Sequence, residues 1–178
     1  MNVTETEDPA DETVVPSGAL AVALAVVESM HGRQHTVDDE LDPVITDALG
    51  EWGPAVMADA FLLLIGVGVN ALGTSPEDPD LVYSLISTPV ARLRRIDTPA
   101  VPQDALPLVA AVMTAAVLGQ DCCNTRRTLG PPRAGEPLIW CYTLWLLIEL
   151  LDSVQGEGTF AKIVTMILAS EPDDETDH

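Results

Sequence analysis

LIWCYTLWLLIELLDSV, residues 138–154, is the stretch whose reading decides the fold. Its first eleven residues, 138–148, carry no charge, and apolar side chains fall on every side at a 3.6-residue period. A helix on a domain surface keeps a polar stripe opposite its apolar one. A helix that is apolar all round has to be buried. Gly156 and Gly158 end the run. These residues therefore predict the central helix of a bundle, set close to the C-terminus.

The flanking sequence has to supply the helices that cover it. Residues 159–169 read as a last amphipathic helix. Upstream, Ser17 is a good N-cap residue for an apolar helix reaching about His31, with Gly32 suited to a C-terminal cap. Residues 37–51 form a second segment, with Asp42-Pro43 placing proline at a favoured first helical position. A third helix starts near Pro54 and reaches about Leu72. Gly66 and Gly68 weaken it by about 1 kcal/mol each, and close helix contact at those glycines is the expected compensation. Another follows Pro79, with Pro89 expected to kink or restart it, and one more covers residues 103–120. Residues 121–137, with Gly130-Pro131-Pro132, read as a long polar connection. Period-two alternation, the mark of a half-buried strand, is nearly absent. The prediction is an all-α, single-domain bundle of six or seven helices over residues 16–170.

The 178 residues suit one domain with a true core, and 47% are hydrophobic but only 4% aromatic. That core must be built from Ala, Val, Leu and Ile. Residues 1–15 and 171–178 read as acidic, disordered tails. They hold ten of the 28 acids, so the body keeps 18 acids against 8 bases, a net charge of −10 within the whole chain's −20. Phosphate backbones and anionic lipid surfaces are bound by clustered Lys and Arg, so the charge speaks against direct nucleic-acid or lipid binding. It favours a protein partner, and oligomers are compatible with it.

Three cysteines, two of them adjacent, do not suit a secreted disulfide framework. Acids precede the first apolar run, where a signal peptide has bases. The expectation is a cytoplasmic protein in a reducing compartment. The uncharged stretches 13–27, 60–76, 105–120 and 137–148 are each shorter than the roughly 18–20 apolar residues that span a bilayer. Acids flank most of them where Lys or Arg would mark a membrane helix. No membrane association is expected.

Four groups of residues could carry chemistry, and each has a plainer structural reading. Glu28, His31 and His35 are spaced to share a helical face and could bind a metal, the Glu-x-x-His pair being one that di-iron bundles use. Those bundles need a second such pair, and His178 is the only other histidine. The plainer reading is a polar helix end. Asp38, Asp39 and Asp42 form an acid string of the kind that holds Mg²⁺ on a diphosphate. Its partner set, Asn70, Thr74 and Asp78, crosses Gly73 and Pro76, so helix-start acids are the simpler account. Cys122, Cys123 and Cys141 lack the Cys-x2-Cys spacing of zinc sites and read as buried thiols.

Arginine supplies seven of the eight bases, and six lie in two groups: Arg92, Arg94 and Arg95, then Arg126, Arg127 and Arg133. They could take an anionic ligand, because guanidinium forks match phosphate and carboxylate. Internal ion pairs are the favoured account. Trp145, Glu149 and Asp152 mark a possible pocket, since Glu149 in an apolar helix needs a partner, and an arginine from either group could be it. No phosphate loop, Ser-His-Asp arrangement or nucleotide fingerprint is visible. No cofactor is indicated.

The leading functional expectation is a small acidic helical interaction or regulatory protein without catalysis. An acidic nucleic-acid mimic that occupies a basic protein's binding site is the first alternative. A metal-dependent enzyme using Glu28, His31 and His35 or the Asp38, Asp39 and Asp42 string is the second.

Overall fold

The computed structural model describes residues 14–30, 43–73, 79–96, 101–133 and 135–170. Among them are eight α-helices, one 3-10 turn and no strand. The helices are α1 (Ser17–Met30), α2 (Pro43–Trp52), α3 (Pro54–Ala71), α4 (Pro79–Leu93), α5 (Leu106–Val117), α6 (Cys122–Thr128), α7 (Glu136–Gln155) and α8 (Thr159–Ser170). The 3-10 turn, Gln103–Ala105, leads into α5.

Proline opens α2, α3 and α4. Its missing N–H costs nothing at a first helical position, and its fixed φ is already helical. Pro89, expected to kink or restart the helix, lies inside one continuous α4, so it does not restart it. It is buried there, and packing of Leu85 and Leu93, both fully buried, holds the helix together across it.

The eighth helix is α6, within the segment read as a polar connection. Its sequence, CCNTRRT, has no apolar periodicity, so its pattern gives no sign of it. Its start is fixed by Asp121, whose carboxylate accepts from the Asn124 backbone N–H, an N-cap contact. It docks on α3 through small and polar groups. A Cβ on Gly66 would lie 3.6 Å from Cys122 Sγ. Asp59 of α3 accepts from Cys123 Sγ at its carbonyl, 3.5 Å away, and from Arg127 Nη2 at its carboxylate, 3.0 Å away.

The core has two central helices where the sequence suggested one. α7 packs against α1, α3, α4, α5 and α8, and α3 against α1, α2, α5, α6, α7 and α8. Their mutual seam is the most extensive in the molecule. Gly68 makes it close, because a Cβ there would lie 2.8 Å from Leu147 Cδ2 and 3.3 Å from Phe160 Cε2. The side chain of Gln155 donates to the carbonyl of Ala71 at 2.8 Å. Both contacts join C-terminal halves, so α3 and α7 run in the same sense, and α4 to α6 return the chain between them.

Both helices are long and apolar enough to cross a membrane by length and composition. The central helices of a water-excluding bundle meet the same criterion. In this fold Phe61, Leu64 and Ile65 of α3 and Leu144, Leu147 and Leu151 of α7 are at most 1% exposed. Burying side chains of this size stabilises by about 1.5–3 kcal/mol each.

Candidate functional site

Two polar assemblies are built on α7, one at each end. At its start stands Glu136, the first residue of the helix and only 3% exposed. Arg126, 6% exposed, comes from α6 and faces it. Both Nε and Nη2 of Arg126 donate to the Glu136 carboxylate, a two-point fork. The Arg133 backbone N–H donates to Glu136 Oε2 at 2.8 Å, and Trp140 Nε1 to Oε1 at 3.1 Å. Arg126 Nη1 and Nη2 also donate to the carbonyls of Gly130 and Pro131, at 2.8 and 3.1 Å. A buried ion pair is tolerable only when the remaining donors and acceptors are also satisfied. Here the fork, the indole and the loop carbonyls do that.

Burial by itself pushes the Glu136 carboxyl upward. The hydrogen bonds from Arg126, from the Arg133 backbone and from Trp140, with the Arg126 charge, outweigh burial and hold it below the usual carboxylate value. The bond to Glu136 likewise raises Arg126. Both groups stay charged. This assembly ties Gly130, Pro131 and Arg133, which lie between α6 and α7, to the start of α7. It is a structural group, and the sequence reading named only its arginine half.

Near the other end, α7 presents Glu149 and Asp152 one turn apart, on one helical face. α4 lies against this face. Arg92 Nη2 stands 2.6 Å from Glu149 Oε2, and its guanidinium carbon lies 5.8 Å from the centre of the Trp145 ring. An open recess of 410 Å³ adjoins the pair, lined by Thr88, Arg92, Glu149, Asp152, Ser153 and Glu157 among others. A second recess, of 140 Å³, shares Asp152 and Glu157 with it and is closed on the α1 side by Glu28. The two recesses meet at Asp152 and Glu157, and their acids come from α1, α7 and the turn before α8. Among the described residues, Arg92 is the only base lining either recess.

The remaining sequence candidates are dispersed. Arg127 meets Asp59 and Arg133 meets Asp104, each at 3.0 Å. Arg94 and Arg95 are exposed at the C-terminal end of α4, where positive charge suits the helix dipole. His31 and His35, and Asp38, Asp39 and Asp42, lie outside the described residues, as do residues 1–13 and 171–178. Glu28 is described and exposed. Among the described residues no three His, Cys, Asp or Glu side chains are placed to hold one metal ion.

All three cysteines are buried thiols outside any disulfide. Burial, with Asp121 nearby, pushes the Cys122 thiol up to about 11. Burial followed by Asp59, Asp121 and Cys122 pushes Cys123 up to about 12 against the opposing charge of Arg127. The thiolate is the nucleophile, so both groups are held in their unreactive form. Iodoacetamide should therefore label Cys122 and Cys123 at least about a hundredfold more slowly in the native chain than in denaturant. Mass spectrometry of timed samples measures this, and prompt native labelling would contradict the burial.

What the groove binds has to be argued from these groups, because no protein-family model, no curated protein and no solved structure matches this chain.

Proposed function

We propose that the chain is a small, acidic, non-catalytic interaction protein whose partner presents a basic segment to the groove between α4 and α7. The observation that supports this is the groove's charge. Glu149, Asp152 and Glu157 line it, with Glu28 beside them, and among the described residues Arg92 is the one base there. Its polar lining comes from two helices and a turn that the core holds in place, a setting that favours recognition of a matching surface. Four of the eight bases are already taken up by internal carboxylates, on Arg92, Arg126, Arg127 and Arg133. The chain's net charge of −20 steers a positively charged partner and repels polyanions.

Native mass spectrometry of tagged full chain, recovered from its source cell, tests the reading. The expected result is one partner in fixed stoichiometry, bound through a basic surface and released as salt rises. Turnover of a small molecule by the purified chain alone would overturn it.

A further inference from the structure

We propose that the exposed face of α8 is the contact through which two copies of this chain pair, antiparallel about a two-fold axis. α8 turns Phe160 and Val164, 1% and 2% exposed, into the core. Ile163, Met166, Ile167 and Ser170 recur at the three- and four-residue spacing of a second helical face. Met166 is 63% exposed, Ile167 39%, and Ile163 half-buried. A helix lying on a core ordinarily keeps its outward face polar. This face is mostly apolar, and none of its four residues lines either recess. The inference therefore stands apart from the basic-partner reading.

Charge names the occupant. The chain carries −20 overall, so a second copy approaches most readily where acids are missing. α8 contains no acid and holds Lys162, the chain's one lysine, exposed one turn before Met166. Among the described residues no salt bridge takes up Lys162. Two antiparallel copies of α8, centred between Met166 and Ile167, set Met166 of one against Ile167 of the other. The same register brings Lys162 to the C-terminal end of the other α8, just past Ser170. That end is the negative pole of the helix dipole, and α8 has no base of its own in its last turn. A parallel pairing would set Lys162 against Lys162 instead. The apolar seam and the charge thus favour one self-complementary arrangement. A contact one 12-residue helix long, about 18 Å, is smaller than a standard interface. Pairing is therefore weak, with a dissociation constant on the order of 10–100 μM.

Sedimentation velocity of the full chain tests this, at concentrations from about 1 μM to about 1 mM and in about 0.15 M salt to screen the net charge. Wild type is expected to pass from the 18.9 kDa monomer toward twice that mass. Met166→Glu sets two acids together at the axis and should raise the dissociation constant at least about tenfold. Tyr83→Glu adds the same charge at a 73% exposed site on α4 and should leave the constant within about twofold of wild type. Met166→Ala should weaken pairing in the same direction as Met166→Glu and guards against a loss of fold, which circular dichroism checks. Lys162→Ala should weaken pairing about threefold to tenfold, since each copy loses its contact with the other's helix end. A monomer at every concentration would overturn the proposal. Equal weakening by Met166→Glu and Tyr83→Glu would overturn it too, since added negative charge alone explains that result. Unchanged pairing in Lys162→Ala would overturn the antiparallel register.

Discussion

Replacing Arg126 with methionine is expected to destabilise the chain by about 3–5 kcal/mol, measured by urea denaturation. Methionine approximates the volume of the arginine stem but leaves Glu136 ionised, 3% exposed and without its counter-charge. The cost comes mostly from that stranded carboxylate. Adding Glu136→Gln removes the charge while keeping an acceptor for Trp140 Nε1, so the double variant should be more stable than Arg126→Met alone. A double variant less stable than the single one would show that the fork stabilises by more than its charge balance.

The pH dependence separates the same causes. The folded carboxyl of Glu136 is held below its ordinary value of 4.5. Its contribution to wild-type stability is therefore complete above about pH 4.5 and is lost as pH falls through the lower folded value. In Arg126→Met the fork and the guanidinium charge are gone, burial dominates, and the folded value moves above the unfolded one. Protonation then favours the folded state, so Glu136 should add stability as pH falls, opposite in slope to wild type. Parallel melts between neutral pH and about pH 4 read the two slopes.

The apolar run in α7 and the prolines at the starts of α2, α3 and α4 are local signals, because burial and proline geometry act within one helix. They were enough to give an all-helical bundle. α6 was not legible, because nothing in CCNTRRT favours a helix by itself. Its helix depends on the Asp121 cap and on Cys122, Cys123 and Arg126 finding α3 and Glu136. Glu136 was missed for a related reason. An acid at a helix start is ordinary on electrostatic grounds, and only the approach of Arg126 from ten residues upstream makes it a buried ion. The one sequence hint was Trp140, four residues on, with an indole N–H that needs an acceptor.

The groove was half legible. Glu149 in an apolar helix required a cation, and that requirement is local. Which arginine meets it depends on α4 lying along α7, and residue spacing does not encode that. The contributions of Glu28 and Glu157 are less legible still. They come from the end of α1 and the turn before α8, which only the packed bundle brings to one place. This division explains why fold class is readable here and function is not. Helices follow from nearest neighbours, whereas the groove follows from four segments meeting.

The seam that brings those segments together is tight enough to be tested by filling and emptying it. Leu147→Ala should cost about 2–5 kcal/mol, since Leu147 is fully buried against α3. Gly68→Ala alone combines two opposing effects. Alanine gains about 1 kcal/mol of helix propensity, while its methyl would stand 2.8 Å from Leu147 Cδ2 and 3.3 Å from Phe160 Cε2. Overpacking of a dense core costs about 1–3 kcal/mol, so a net loss is expected. In the double variant the new methyl enters space that Leu147 has vacated, so the propensity gain and partial cavity filling are set against only the 3.3 Å approach to Phe160 Cε2. Gly68→Ala/Leu147→Ala should therefore be more stable than Leu147→Ala, with a coupling of about 0.5–3 kcal/mol across the four-member cycle. Additive losses would mean that α3 and α7 adjust their spacing freely. The groove on the far side of α7 would then have no fixed wall on which Glu149 and Asp152 could be held in place.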